Sequence, residues 1–372
     1  MKYFNQKKIK RKSIAFLEII LRIIHFFLLR INKFFLVDNA PCLFLVDGYR
    51  IGDSILLRPL IKGLIDKFSS THKIIVLSGK HAFYVYSDYL DQIEIIDYQF
   101  PWASYDYSIS SIKNLLINWS IIYRKSIEIA IETRGDFRSI AWTHLTCPKR
   151  LIGFDFTGGA QLLTDVITDD GNIAHLFEHV KRIGSFVGCT VQEENVRLKK
   201  HHKIENANKR IAVSFSGLQP LRNLPIAMGL GIMRRLIDES DFELWYIMSP
   251  SEKYFRTDLL EKHFQNKVKI FSGSFKAYFD FLQTSDVYIG MDSGGGHLCS
   301  LWSIPSVIIF GTQLSSYASP VGKHPKLFLE NESFLPCRPC DGVTCISKVG
   351  FQECFAGLEV DKIITFCKNF NN

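Results

Sequence analysis

The chain has 372 residues, 47% hydrophobic and 22% charged, which excludes wholesale disorder, a collagen-like repeat and a disulfide mini-scaffold. That length points to two domains whose cores need no metal or disulfide staple. The net charge of +8 sits in residues 1–37, which hold nine Lys and Arg against one acid, Glu18, while the other 335 residues carry 36 of each sign; a neutral body with a basic tail argues against a nucleic-acid partner.

The tail opens MKYFNQKKIKRK and continues, over residues 13–37, as SIAFLEIILRIIHFFLLRINKFFLV. Glu18, Arg22 and His25 interrupt the apolar run and no A-x-A cleavage site follows, so a signal peptide and a membrane span of ~20 apolar residues both fit poorly. On a helical wheel Glu18, Arg22, His25, Arg30, Asn32 and Lys33 fall within an arc of about 160°. Leu17, Ile20, Ile24, Phe27, Leu28, Ile31 and Phe34 fill the other side. This pattern predicts an amphipathic helix lying on an anionic membrane surface, with packing on the protein's own body as the alternative.

From residue 41 short apolar runs alternate with helical stretches. Strands are expected at 42–46, 73–79, 93–97 and 127–132, with an amphipathic helix at 54–68. Continuous apolar runs suit parallel strands covered on both faces. Residues 148–205 mix Gly-rich turns, a helix near 175–187 and a charged stretch, EENVRLKKHHKIENANKR, that reads as a linker. A second alternation follows, with strands at 210–217, 242–249, 267–273, 286–292 and 305–311. Its helices are expected at 226–238, 252–264, 275–284 and 296–302. Two such runs imply two Rossmann-like domains facing a cleft.

Four motifs carry chemistry. In Gly48-Tyr49-Arg50-Ile51-Gly52-Asp53-Ser54, Asp53 falls at a helix start beyond a strand's carboxyl end, where ligands sit. It is either a helix N-cap or a carboxylate base aimed at a substrate. In Asp292-Ser293-Gly294-Gly295-Gly296-His297, three glycines at a helix N-terminus offer backbone N–H groups to a phosphate or diphosphate, with His297 on the first turn as a further donor. Ser216-Gly217 with Arg222 precedes a helix expected to begin at Pro225, and Arg222 can hold a phosphate or lie free in a loop. The spacing Cys337-x2-Cys340-x4-Cys345-x8-Cys354 is compatible with zinc or an iron–sulfur cluster, or with free thiols in a structured loop. The other five cysteines (Cys42, Cys147, Cys189, Cys299 and Cys367) read as buried small hydrophobes. Neither β/α run opens with G-x-G-x-x-G, which argues against a dinucleotide oxidoreductase.

Taken in order, these segments resemble glycosyltransferase family 9, the ADP-heptose:lipopolysaccharide heptosyltransferases. The resemblance rests on Arg50-Ile51-Gly52-Asp53 through Arg58-Pro59, on Asp292 through His297, and on Ile304 through Gly311. Ile131-Glu132-Thr133-Arg134-Gly135 and Arg150 through Phe154 also match, over roughly residues 41–365. It implies an α/β protein of GT-B fold. The domains would be 1–37 (membrane-surface helix), 38–205 (acceptor), 206–335 (nucleotide-sugar donor) and 336–372 (Cys-rich segment and final helix). The implied activity is inverting sugar transfer from a nucleotide diphosphate donor, ADP-heptose first, to a lipid-linked acceptor at the cytoplasmic face of a bacterial inner membrane. Asp53 would be the base and Arg222 a diphosphate contact where the family has Lys. Glu252 would bind the nucleoside, Asp292 the sugar hydroxyls, and Ser293 to Gly296 with His297 the diphosphate. Ser216 and Gly217 complete the donor set. No cofactor is required, zinc or iron–sulfur at the four clustered cysteines being the option left open. The alternatives are a UDP- or GDP-sugar donor, or a non-catalytic nucleotide- or metal-binding protein.

Overall fold

The computed structural model describes residues 8–370 except 48, 105, 170–174, 199–208, 218, 250–251, 253–254, 341 and 349; of residues 8–12 and 38 it describes the backbone only. The basic residues Lys2 and Lys7, and most of the expected linker, lie outside the described residues. The chain forms two compact units, Met1–Asn195 and Val196–Asn372.

The first unit holds β1 (Asp38–Asp47), β2 (Lys73–Ser78), β3 (Ile93–Asp97), β4 (Lys125–Glu132), β5 (Arg150–Gly153) and β6 (Asp165–Val166). Their order is β3-β2-β1-β4-β5-β6, every pair parallel. The second unit holds β7 (Arg210–Ser214), β8 (Glu243–Ile247), β9 (Val268–Phe271), β10 (Val287–Met291), β11 (Ser306–Phe310) and β12 (Lys326–Glu330). Its order is β12-β11-β10-β7-β8-β9, again all parallel. Both sheets are doubly wound. Each reverses direction where two central strands meet, β1 with β4 and β7 with β10. Ligands of open α/β sheets bind beyond the carboxyl ends of the strands at that switch point.

Burial explains the strands. Cys42 through Val46 in β1 are fully inaccessible, and all of β10 and β11 is buried, as strands covered on both faces must be. The expected β/α alternation is present in both units. Not expected were β5, β6 and β12, which are short or at an edge, and helices Ile109–Tyr123 and Phe137–His144. The helix expected from 252 is Thr257–Phe264, and Pro225 caps helix Ile226–Glu239 rather than opening it.

The N-terminal helix runs Lys8–Asn32. It packs on its own unit through a seam of Ile14, Glu18, Leu21, His25, Leu28 and Asn32, alternate steps of four and three that stay on one face of a helix. Half of the expected polar arc therefore turns inward. Glu18, only 5% exposed, accepts a hydrogen bond from the Gly159 N–H at 2.7 Å. His25 Nδ1 donates to the His144 carbonyl at 2.7 Å, and the two rings stack 4.0 Å apart. Asn32 Nδ2 donates to the Tyr123 carbonyl at 2.7 Å, and Tyr123 Oη donates to the Leu28 carbonyl at 2.8 Å. Gly158 makes room for the helix: a Cβ there would stand 2.9 Å from Ile14 Cγ2. No described helix is long and apolar enough to cross a membrane.

Burial lowers the pKa of His25 and brings that of His144 down to about 4. The docked state therefore binds fewer protons than the undocked one as pH falls below 6.5, down to about 4 where docked His144 titrates. Docking is fully supported above that window and weakens as pH falls through it. Hydrogen exchange across residues 14–32, corrected for intrinsic rates, is expected to quicken at pH 5 relative to pH 7. Equal protection at both values would mean that the His pair does not govern docking.

Candidate functional site

At the switch point of the first unit, Arg50 is extended and occupies the N-cap of helix Ile51–Phe68, which places Asp53 at the third helical position. The expected N-cap role is thereby corrected. Asp53 Oδ2 accepts the Arg50 N–H at 3.3 Å, half of a capping box, because the first-turn amides have no intrahelical acceptor. Its other oxygen, Oδ1, is 2.7 Å from Arg134 Nη1. Asp53 therefore caps its own helix and still presents a paired carboxylate at the partly open end of the sheet.

Arg134 comes from the loop after β4, and the buried Glu132 shapes that loop. Glu132 Oε2 accepts from the Gly135 N–H at 2.6 Å and the Arg134 N–H at 3.1 Å, while Oε1 accepts from Ser139 Oγ at 2.7 Å. Gly135 has φ +65°, and a Cβ there would enter the Phe156 ring, so only glycine fits. The Arg134 guanidinium also lies 5.4 Å from the Tyr49 ring centroid. Burial lifts the Glu132 carboxyl to about pH 7 against the hydrogen bonds that favour its charge. Asp47, at the end of β1, is likewise lifted to about 7 by burial; it accepts from Tyr86 Oη at 2.7 Å and Ser78 Oγ at 3.0 Å. His81 shares a 2.8 Å hydrogen bond with Ser54 Oγ and is lowered by burial to about 4, so its ring is neutral near pH 7. Arg134, Glu132, Asp47 and His81 escaped the sequence reading as site residues. The signal available was their position at or just past strand ends, once the strand order is known.

At the switch point of the second unit, β7 ends at Ser214 and leads into Ser216. Ser216 Oγ donates to the Glu252 carboxylate. Tyr246 Oη and the Phe255 N–H donate to the same carboxylate at 3.4 and 3.2 Å. Residues 36 apart in sequence are thereby joined, as the expected donor set requires. The Gly217 N–H donates to Asn223 Oδ1 at 2.9 Å, and a Cβ on Gly217 would strike Arg222. Arg222 ends a short 3-10 turn, Pro220–Arg222, and its Nη1 stands 3.7 Å from Asp292 Oδ2. Burial raises the Asp292 pKa, and the Arg222 charge opposes that rise.

Ser293 is the extended N-cap of helix Gly294–Trp302, whose first-turn N–H groups point toward the strand end. Two of the three glycines are buried for packing. A Cβ on Gly295 would fall on the hydroxyls of Tyr288 and Tyr278, and one on Gly296 would strike Ile308. His297 is buried as well, with His324 among its electrostatic neighbours.

Cys337, Cys340, Cys345 and Cys354 border one cavity of about 20 Å³ together with Leu221 and Gln352. Burial pushes the Cys354 thiol up to about 11. Among the described residues no three His, Cys, Asp or Glu side chains are arranged to hold a metal ion. The segment also supports the loop that carries Arg222: the Leu221 N–H donates to the Gly342 carbonyl at 3.0 Å, and Gln352 Nε2 to the Asn223 carbonyl at 3.2 Å. The remaining five cysteines are buried.

No protein-family model and no curated protein matches the sequence. Solved structures do match the fold. Escherichia coli heptosyltransferase WaaC with ADP is 12% identical with a TM-score of 0.61, over 77% of this chain and 92% of that one. The E. coli ADP-heptose lipopolysaccharide heptosyltransferase II is 12% identical with a TM-score of 0.67, over 88% and 98%. A glycosyl transferase family 9 protein from Veillonella parvula is 12% identical with a TM-score of 0.67, over 90% and 98%. What this chain shares with them is the two-unit α/β fold.

Proposed function

We propose that this chain is an inverting glycosyltransferase that moves a sugar from a nucleotide diphosphate onto a lipid-linked acceptor in lipopolysaccharide, lipooligosaccharide or related surface-glycan synthesis. ADP-heptose is the favoured donor. The observation that carries the reading is the pair of switch points: one unit presents Asp53 beside Arg134, the other presents Ser216 with Glu252 and Arg222 with Asp292, on a fold shared with heptosyltransferases.

In this mechanism Asp53 takes the proton of an acceptor hydroxyl while that oxygen bonds to the sugar's anomeric carbon. The bond from that carbon to the diphosphate breaks, and the nucleotide leaves with the electron pair. Charge on the leaving group is met by Arg222, His297 and the first-turn N–H groups after Ser293, a role worth several kcal/mol in preorganised sites (about 3–4 per donor removed). Glu252 holds the nucleoside and Asp292 the sugar hydroxyls, with Gly217 keeping the Arg222 loop close. Thiol chemistry at the clustered cysteines suits iron or zinc, yet the side chains do not converge on one point, and no step here runs through a metal. The basic N-terminal segment would hold the enzyme peripherally on the inner face of the inner membrane.

The test is a thermal-shift panel of ADP, UDP, GDP and CMP with their sugar conjugates on the full chain. A ligand at 100 times its Kd adds about 2.7 kcal/mol, or roughly 5–10 °C for a unit of this size. A shift confined to ADP species supports heptose transfer. A shift with UDP or GDP species overturns the donor and keeps the mechanism. No shift with any nucleotide overturns the enzyme reading.

A further inference from the structure

The outward side of the N-terminal helix is apolar. Phe16, Ile23, Phe26 and Phe27 are all at least half exposed, because Glu18, His25 and Asn32 have turned to the body. The charges left outside on its described side chains are Arg22 and Arg30, followed just past its end by Lys33, all positive. Helix Ile109–Tyr123 repeats this character. Ile109 is 88% and Leu116 63% exposed, with Ile112, Ile117 and Ile121 beside them, and its one charged residue is Lys113. The two helices meet at Tyr123, which bonds to Leu28 and Asn32 and packs against Phe35. Monomeric soluble proteins rarely leave contiguous apolar surface of this kind uncovered.

We propose that helix Ile109–Tyr123 is a second membrane-docking element, which together with the outward side of the N-terminal helix seats the first unit on an anionic lipid surface. The inference rests on the peripheral-membrane reading above and extends it to a segment far from the tail. Charge selects the occupant. Both elements combine exposed apolar side chains with exposed cations alone among their described residues, the complement of an anionic bilayer. A symmetric contact with a second copy would set the same cations against each other.

Cosedimentation of the full chain with vesicles of equal parts phosphatidylcholine and phosphatidylglycerol tests this. The double variant Ile109→Glu with Leu116→Glu is expected to bind about 10-fold more weakly or worse, since burial of two aliphatic side chains is lost. Both positions are exposed, so the melting temperature and nucleotide response should match the parent protein. Phe16→Glu with Phe27→Glu should weaken binding similarly. Binding lost with the Phe variant but unchanged with the Ile109/Leu116 variant overturns the second element and leaves the tail reading standing. If the parent protein ignores these vesicles, both readings fall. If the Ile109/Leu116 variant instead changes the oligomeric state by light scattering while vesicle binding is unaltered, the face is a contact between copies and the proposal is overturned.

Discussion

Asp53→Asn is expected to lower kcat by about 10²–10⁴-fold, the range lost when a general base is removed. The change keeps the side chain's shape and one oxygen able to accept the Arg50 N–H, so the helix start should survive. What it removes is the carboxylate proposed to take the acceptor's proton, together with the ion pair to Arg134. That pair is partly exposed, and pairs of that kind contribute only about 0.2–1 kcal/mol. Activity should therefore collapse while the melting temperature moves little. Nucleotide affinity should be unchanged, because the residues proposed to bind the donor belong to the other unit. Steady-state kinetics beside nucleotide titration decide the matter: a kcat within about threefold of the parent would remove Asp53 from the role. Arg134→Ala is a useful companion. It leaves the base in place, so its effect on kcat should be clearly smaller than that of Asp53→Asn.

Gly295→Ala should be a strongly damaging small substitution in the second unit. Its Cβ would enter space already filled by the hydroxyls of Tyr288 and Tyr278. Tyr288 is fully buried and Tyr278 partly buried against the start of helix Gly294–Trp302, so there is little room for either to move aside. Overpacking of this kind costs about 1–3 kcal/mol. The melting temperature should fall by about 2–4 °C for each kcal/mol in a unit of this size. The displaced helix start should also abolish the thermal response to nucleotide. Gly231→Ala supplies the contrast. That glycine lies in helix Ile226–Glu239 with no atom within 4 Å of where its Cβ would sit. There the same chemical change should be neutral or stabilising by about 0.4–1 kcal/mol. If the two variants melt alike, the packing account of the Gly295 position is wrong.

The cysteine segment shows how far spacing carries an argument. Four thiols within 18 residues suggest a ligand set; in the folded unit they border a small cavity, while Gly342 and Gln352 of the same segment brace the loop that carries Arg222. Spacing along a loop says which side chains can meet. It does not say where the loop's backbone turns them, and that depends on Gly342, Gln352 and the strand ends they pack against.

Local pattern was sufficient for most of the architecture. Continuous apolar runs mark buried parallel strands, and Asp or Gly clusters just past them mark the loops where such sheets place ligands, so the position of Asp53 and Asp292 beyond strand ends was legible without coordinates. Tertiary structure alone decided three things. Strand order set β4 beside β1, and so brought Arg134 to Asp53 across 81 residues. Packing decided which side of the N-terminal helix faces inward, because a wheel separates polar from apolar residues but cannot say that Glu18, His25 and Asn32 would find partners in Gly159, His144 and Tyr123. Close approach of helix to strand decided why Gly295 and Gly296 are glycines, since the atoms that exclude a side chain there belong to Tyr288, Tyr278 and Ile308. In each case the deciding energy is a contact between different elements of the fold, whose packing local periodicity does not specify.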